Sequence, residues 1–179
     1  MRKIRFISFI CVLALILSLC SVFSFAAAPE AGNQVYATNK QYVVALSGTK
    51  LYKATSGTDA WATIPVRTVI TGTASSNAGW GYDSVRSSVS YGGNTGYVIN
   101  KNVIPGQMCY RLTSSAYLMN SASPSSGYVF NGNMSTSNTL FYLLSSSDTN
   151  YYKVRAYISS GSFAGVYTGY VLKTKVVAF

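Results

Sequence analysis

The sequence predicts an all-β fold, two tandem small β-barrels behind an N-terminal export leader. Three observations carry this. No amphipathic helix of useful length follows Ala28. Short Val/Ile/Tyr/Thr-rich runs alternate instead with clusters of Gly, Ser and Asn. A set of short motifs then recurs in order, at a near-constant spacing.

The leader comes first. Arg2, Lys3 and Arg5 form a positive start, an apolar run follows from Phe6 to Phe25, and Ala26, Ala27 and Ala28 close it. This is the pattern of a secretory signal peptide, helical before removal. Cleavage after Ala26 places small Ser24 and Ala26 where small residues are wanted. A later cut would bring bulky Phe25 into that position or put Pro29 directly after the scissile bond. The expected signal peptide is therefore residues 1–26. The run is also long enough to span a bilayer, so a retained anchor is the alternative. Lipid attachment at Cys20 is disfavoured by the large Leu19 before it. Removal leaves 179 − 26 = 153 residues with 11 Lys+Arg and 4 Asp+Glu, a charge of 11 − 4 = +7. The product is expected to be secreted or extracytoplasmic, free or bound to a surface there, and off the membrane once cleaved. Residues 27–41 form a linker.

The strands follow. Val66 to Thr71 (V-R-T-V-I-T), Tyr97 to Ile99, Val103-Ile104, Thr139 to Leu144 and Gly169 to Leu172 are the apolar runs. Turn signals separate them at Gly57, Gly72, Ser75 to Gly79, Gly92-Gly93, Ser123 to Gly127, Ser145 to Asn150 and Ser159 to Gly161. Val85-Arg86 recurs as Val154-Arg155, an offset of 154 − 85 = 69. Thr95-Gly96-Tyr97-Val98 recurs as Thr168-Gly169-Tyr170-Val171, and Val103-Ile104 as Val176-Val177, both at an offset of 73. The growth of four is assigned to a longer hairpin in the second copy. The units are expected at 42–105 and 106–179, the second diverged. Barrels this small have marginal cores. The 15 tyrosines help fill them, each burying a ring while its hydroxyl stays at a wet edge.

Composition removes much catalytic chemistry. There is no histidine, which excludes a Ser-His-Asp triad, a Cys-His dyad and a histidine metal site. The acids Glu30, Asp59, Asp83 and Asp148 are widely spaced and isolated. Once the leader is gone Cys109 stands alone, so no intramolecular disulfide forms, and we place it as a small apolar residue at the inter-repeat junction. Ser47 and Lys50 have Ser-x-x-Lys spacing but lie in a Ser-Gly-Thr turn, which is turn chemistry. We expect no enzyme, no metal and no cofactor.

The repeats resemble the C-terminal half of a bacterial SH3-like (SH3b-type) domain. Its pattern is a strand with aromatic-x-x-Val, a glycine-bearing hairpin, Gly-Tyr-Val and a closing apolar pair. The second copy reads Asn150-Tyr151-Tyr152-Lys153-Val154-Arg155 and then Thr168-Gly169-Tyr170-Val171, with Tyr151 at the family's Trp position. The first reads Gly79-Trp80-Gly81-Tyr82-Asp83-Ser84-Val85-Arg86, with two residues inserted before Val. The front half is eroded to Thr49-Lys50-Leu51-Tyr52-Lys53-Ala54 and Ala116-Tyr117-Leu118-Met119-Asn120. The resemblance implies two tandem SH3-like barrels acting as a wall-targeting module. Peptidoglycan glycan, stem peptide or an anionic wall polymer is then the ligand.

Composition agrees with such a ligand. A basic surface is drawn to polyanionic polymers at low salt. Exposed aromatic faces beside Asn, Ser and Thr can grip sugars and peptides. The candidate aromatics are Tyr52, Trp61, Trp80, Tyr91, Tyr128 and Tyr151, with Trp61 favoured because it sits in a polar, loop-like stretch, Ser56 to Trp61. The candidate cations are Lys53, Arg86, Lys153 and Arg155, with Lys50 and Arg67 behind them. The alternative is a structural or protein-interaction module that binds a partner such as a wall hydrolase through an open sheet edge. Nucleic acid is not expected, because the basic residues are scattered and Lys173-Thr174-Lys175 is too short for a patch.

Overall fold

The computed structural model describes residues 40–72 and 81–179. The predicted leader, the linker up to residue 39, the Ser75–Gly79 turn and the candidate Trp80 lie outside the described residues.

The described chain is all-β, in two sheets. The first unit contributes β1 (Lys40–Val44), β2 (Lys50–Tyr52), β3 (Ala60–Thr63), β4 (Val69–Gly72), β5 (Arg86–Tyr91), β6 (Asn94–Ile99) and β7 (Val103–Pro105). The second contributes β8 (Cys109–Leu112), β9 (Thr139–Ser145), β10 (Tyr151–Ile158), β11 (Gly165–Leu172) and β12 (Val176–Ala178). The sheet orders are β3-β2-β6-β5-β4-β1-β7 and β11-β10-β9-β8-β12. With the β2–β3 hairpin set aside, both run fourth, third, second, first, last. In both, a one-turn 3-10 helix precedes the closing strand, at Asn100–Asn102 and at Lys173–Lys175. The same strand order is thus present twice. The long loop after the first strand folds back to seal each barrel: β2 pairs with β6 at Tyr52 and Tyr97, and Met119 bridges Tyr170.

Each repeated glycine makes that seal. Neither Gly96 nor Gly169 has a positive φ. What they supply is room. A Cβ on Gly96 would lie 2.5 Å from the Tyr52 carbonyl oxygen, and one on Gly169 would lie 2.7 Å from that of Met119. Any side chain there would push the loop off the barrel.

The register corrects the sequence alignment of the repeats. Val89 pairs with Gly96, and Val154 pairs with Gly169. Strands β5 and β10 are therefore related by an offset of 154 − 89 = 65, not 69. The Val85-Arg86 and Val154-Arg155 match is a coincidence of composition. From valine to paired glycine the second hairpin spans 169 − 154 = 15, the first 96 − 89 = 7. The growth is twice the expected one. Two acids confirm the shift. Asp83 Oδ1 accepts the Val85 N–H at 3.1 Å, and Asp148, at the same corrected offset, accepts those of Asn150 and Tyr151, both at 2.8 Å. Each caps the turn into its third strand. Val85–Val89 is thus the counterpart of Asn150–Val154, and Gly79-Trp80 precedes the position that the resemblance assigned to it.

One strand boundary also moves. Val66 and Arg67 form a turn, and β4 begins at Val69. Arg67 has φ 68° and its amide donates to the Val44 carbonyl at 2.8 Å. The left-handed turn points its side chain at the other unit, as described below.

The units share a core. The larger cluster joins Val43, Ala45 and Ile104 of the first unit to Leu140, Phe141, Val154, Tyr157 and Val171 of the second. A smaller one, around Tyr42, Leu51, Ile70, Val89 and Val98, fills the first barrel alone. Strand β9 explains its own sequence: it is buried on both faces from Thr139 to Leu144, and so reads as an unbroken apolar run. Cys109 is fully buried in the larger cluster at the junction.

Candidate functional site

A cleft of about 420 Å³ opens in the second unit, between the long loop after β8 and the end of β11. Tyr117, Tyr128, Tyr151, Leu172 and Lys175 are among its lining residues, and among the described residues no acidic side chain is. Tyr117 and Tyr128 stack face to face, with centroids 4.2 Å apart and planes 18° from parallel. They are 41% and 47% exposed. Stacked phenols open to solvent form a flat amphipathic platform. Lys175, on the 3-10 turn, spends one N–H on Ser114 Oγ at 3.1 Å.

The loop holds this platform by its backbone. Ala116 pairs with Met134 in both directions, Val129 N–H donates to the Leu118 carbonyl at 2.8 Å, and Asn120 Nδ2 donates to the Tyr128 carbonyl at 3.2 Å. Ala116 and Leu118 point inward and are buried, so Tyr117 between them points out. That alternation is visible in the sequence, yet Tyr117 is absent from the residues that sequence reasoning selects. Tyr128, one of the sequence candidates, is the other ring of the stacked pair. Tyr151 belongs to the cleft too, but at 5% exposure it is a buried wall rather than an exposed face. Its placement follows from the Asp148 cap at the head of β10.

Four other predicted residues gather on the first unit. Trp61, 52% exposed, sits on β3 and not in a loop. The β2–β3 register shifts between Leu51 and Tyr52, which pair with Ala62 and Ala60. Trp61 is thus the extra residue of a bulge, turned outward. Lys53 Nζ lies 4.9 Å from its ring centroid. Arg86 lies over the Tyr52 ring at 3.5 Å and donates to the Ala54 and Gly57 carbonyls at 3.0 and 2.6 Å.

The remaining candidates stand apart. Tyr91 is half-buried against the smaller core. Lys153 and Lys50 are exposed on β10 and β2. Arg155 is not a surface cation. It covers the Tyr82 ring at 3.8 Å and donates to the Gly81 carbonyl at 2.7 Å, an oxygen that also accepts the Tyr157 hydroxyl at 2.6 Å. Arg67 likewise crosses between units, its Nη2 donating to the carbonyls of Thr136 and, at 3.2 Å, Thr139. Both belong to the junction.

Among the described residues no three His, Cys, Asp or Glu side chains converge to hold a metal. Burial pushes the Cys109 thiol up to about 12, with the Arg67 charge acting weakly the other way. At neutral pH it is a protonated core group rather than a nucleophile. Among the described residues no helix is long and apolar enough to cross a membrane.

No family model matches the chain, and no curated protein does. Among solved structures, NlpC2 from Trichomonas vaginalis aligns with 80% of this chain at 12% identity and a TM-score of 0.31. The chain spans about half of that protein, 49% of its length.

Proposed function

We propose that this is an exported, non-catalytic binding protein that attaches to the cell wall through its SH3-like units. Glycan or stem peptide rests on the Tyr117–Tyr128 platform. The observation that carries this reading is the stacked, half-exposed tyrosine pair at the mouth of a 420 Å³ cleft. Solvent-exposed aromatic pairs suit a flat apolar sugar face or a peptide backbone. Lys175 and the absence of acids from the lining favour a ligand carrying carboxylate or phosphate. A second reading, docking of a partner such as a wall hydrolase, is favoured by β12, which among the described residues pairs only with β8 and leaves Val177 40% exposed.

Co-sedimentation tests the first reading. The exported protein is mixed with insoluble peptidoglycan, stripped or unstripped of secondary polymers, over a salt series. Pelleting with stripped peptidoglycan at high salt is the expected result, and replacing Tyr117 and Tyr128 by Ala should abolish it. Pelleting only with unstripped walls, lost as salt rises, would reassign binding to charge attraction. No pelleting with either would refute wall recognition.

A further inference from the structure

We infer that the two units are not equivalent binders: among the described residues, the first unit's counterpart of the Tyr117–Tyr128 cleft is shut by its own Arg86, and the second unit's is open. This rests on the wall-binding reading of the second unit.

The register identifies the counterparts. Arg86 heads β5 as Tyr151 heads β10, and 151 − 86 = 65 is the offset set by Val89 and Val154. Tyr52 and Met119 occupy the same place, since each pairs across to the tyrosine of its Gly-Tyr-Val. Two positions earlier in each loop, Tyr117 corresponds to Lys50. Tyr128, which bridges Met119, corresponds to Ala60, which pairs with Tyr52.

Three replacements therefore separate the sites. The two platform tyrosines become a lysine and an alanine. The neutral wall residue Tyr151 becomes an arginine whose guanidinium closes the space instead of lining it. Arg86 is held there from two sides: the Tyr52 ring lies beneath it, and two carbonyls of the 53–59 segment accept its protons. A planar guanidinium stacked on an aromatic ring and hydrogen-bonded at its edge is a rigid plug. Lysine could not make that pair of contacts at once. The loop of the first unit is also committed to the β2–β3 hairpin, whereas its counterpart in the second unit makes only isolated bridges and leaves a groove.

The test uses wall binding at high salt and three forms of the exported protein, each first shown to be folded by its amide spectrum. Tyr117→Ala with Tyr128→Ala removes the platform of the second unit. It should lower affinity by about ten-fold or more, as loss of paired aromatic anchors does. Lys50→Ala with Trp61→Ala removes two exposed groups of the first unit and should leave affinity within about two-fold, a change worth little on this scale. Lys50→Tyr, Ala60→Tyr and Arg86→Tyr together copy the open set into the first unit, and should restore binding to the protein that lacks Tyr117 and Tyr128. Overturning results are two: half or more of wild-type affinity surviving loss of the Tyr117–Tyr128 pair, or a folded triple exchange that restores nothing. Where the triple exchange does not fold, the two alanine pairs decide alone. A wild-type protein that fails to pellet takes down the wall-binding reading itself, and the inference with it.

Discussion

Arg67 offers a quantitative test of how the units are joined. It is the one described non-glycine residue at positive φ, 68°. A side chain there costs about 1–2 kcal/mol. The guanidinium returns two hydrogen bonds across the junction, to the carbonyls of Thr136 and Thr139. Bonds with a charged donor contribute about 1.5–3 kcal/mol each when well placed. Partial exposure and a buried Nε without a hydrogen-bond partner reduce that sum, and a net loss of about 2 kcal/mol is expected for Arg67→Ala. Arg67→Gly loses the same bonds but relieves the backbone. The greater freedom of glycine in the unfolded chain takes back part of that relief, about 0.4–1 kcal/mol. The order of stability should be wild type, then Gly, then Ala, with Gly above Ala by about 0.5–1 kcal/mol. Urea unfolding followed by fluorescence, with linear extrapolation, resolves such differences when the slopes match. Arg67→Ala unfolding with wild-type stability would refute the junction bonds. Gly no better than Ala would refute the strain.

Gly169→Ala should destabilise by about 1–3 kcal/mol through overpacking, since its Cβ would meet Leu118 Cγ and the Met119 carbonyl, both at 2.7 Å; urea midpoints check this, and a neutral outcome would mean that the loop does not seal the barrel so closely. Stability should fall as pH rises above about 9. Burial raises Cys109 from 9.0 to about 12 and Tyr42 and Tyr142 from 10.0 to about 12, and raises Tyr157 as well, so the unfolded chain ionises first and the folded state loses ground across that window. A flat melting temperature from pH 8 to 11 would contradict these burials. Iodoacetamide at neutral pH should label Cys109 only after denaturation, read by mass, and rapid labelling of the native protein would place the thiol at the surface.

The parts of the fold that could be read from sequence are those written in local chemistry. Apolar runs bounded by turn residues mark β4, β6, β7, β9 and β11, and Thr-Gly-Tyr-Val marks the fourth strand in both units because only glycine tolerates the loop carbonyl against it. The Val-Arg match misleads because a two-residue motif recurs by chance in a Val- and Ser-rich chain, and hairpin length leaves no short signature. The acids Asp83 and Asp148 carry the true offset. They look isolated because their partners include backbone amides, which no sequence displays. The same cause hides the roles of Arg67, Arg86 and Arg155: each binds main-chain carbonyls, and Arg67 and Arg155 find theirs in the opposite unit. Tyr117 escapes notice because one tyrosine among 15 gains meaning only when a second stacks on it.

The merged core has a consequence for how such a chain can be altered. Val43, Ala45 and Ile104 complete the interior of the neighbouring unit. Beads on a string can be lengthened, shortened or traded between proteins, because each closes its own interior. This pair cannot. Removing the first unit would leave the doubly buried strand β9 with one face open to water. Recombination would therefore move the pair only as one piece. An insertion tolerated between ordinary tandem modules would here, near Pro105–Cys109, split a hydrophobic interior instead of a linker.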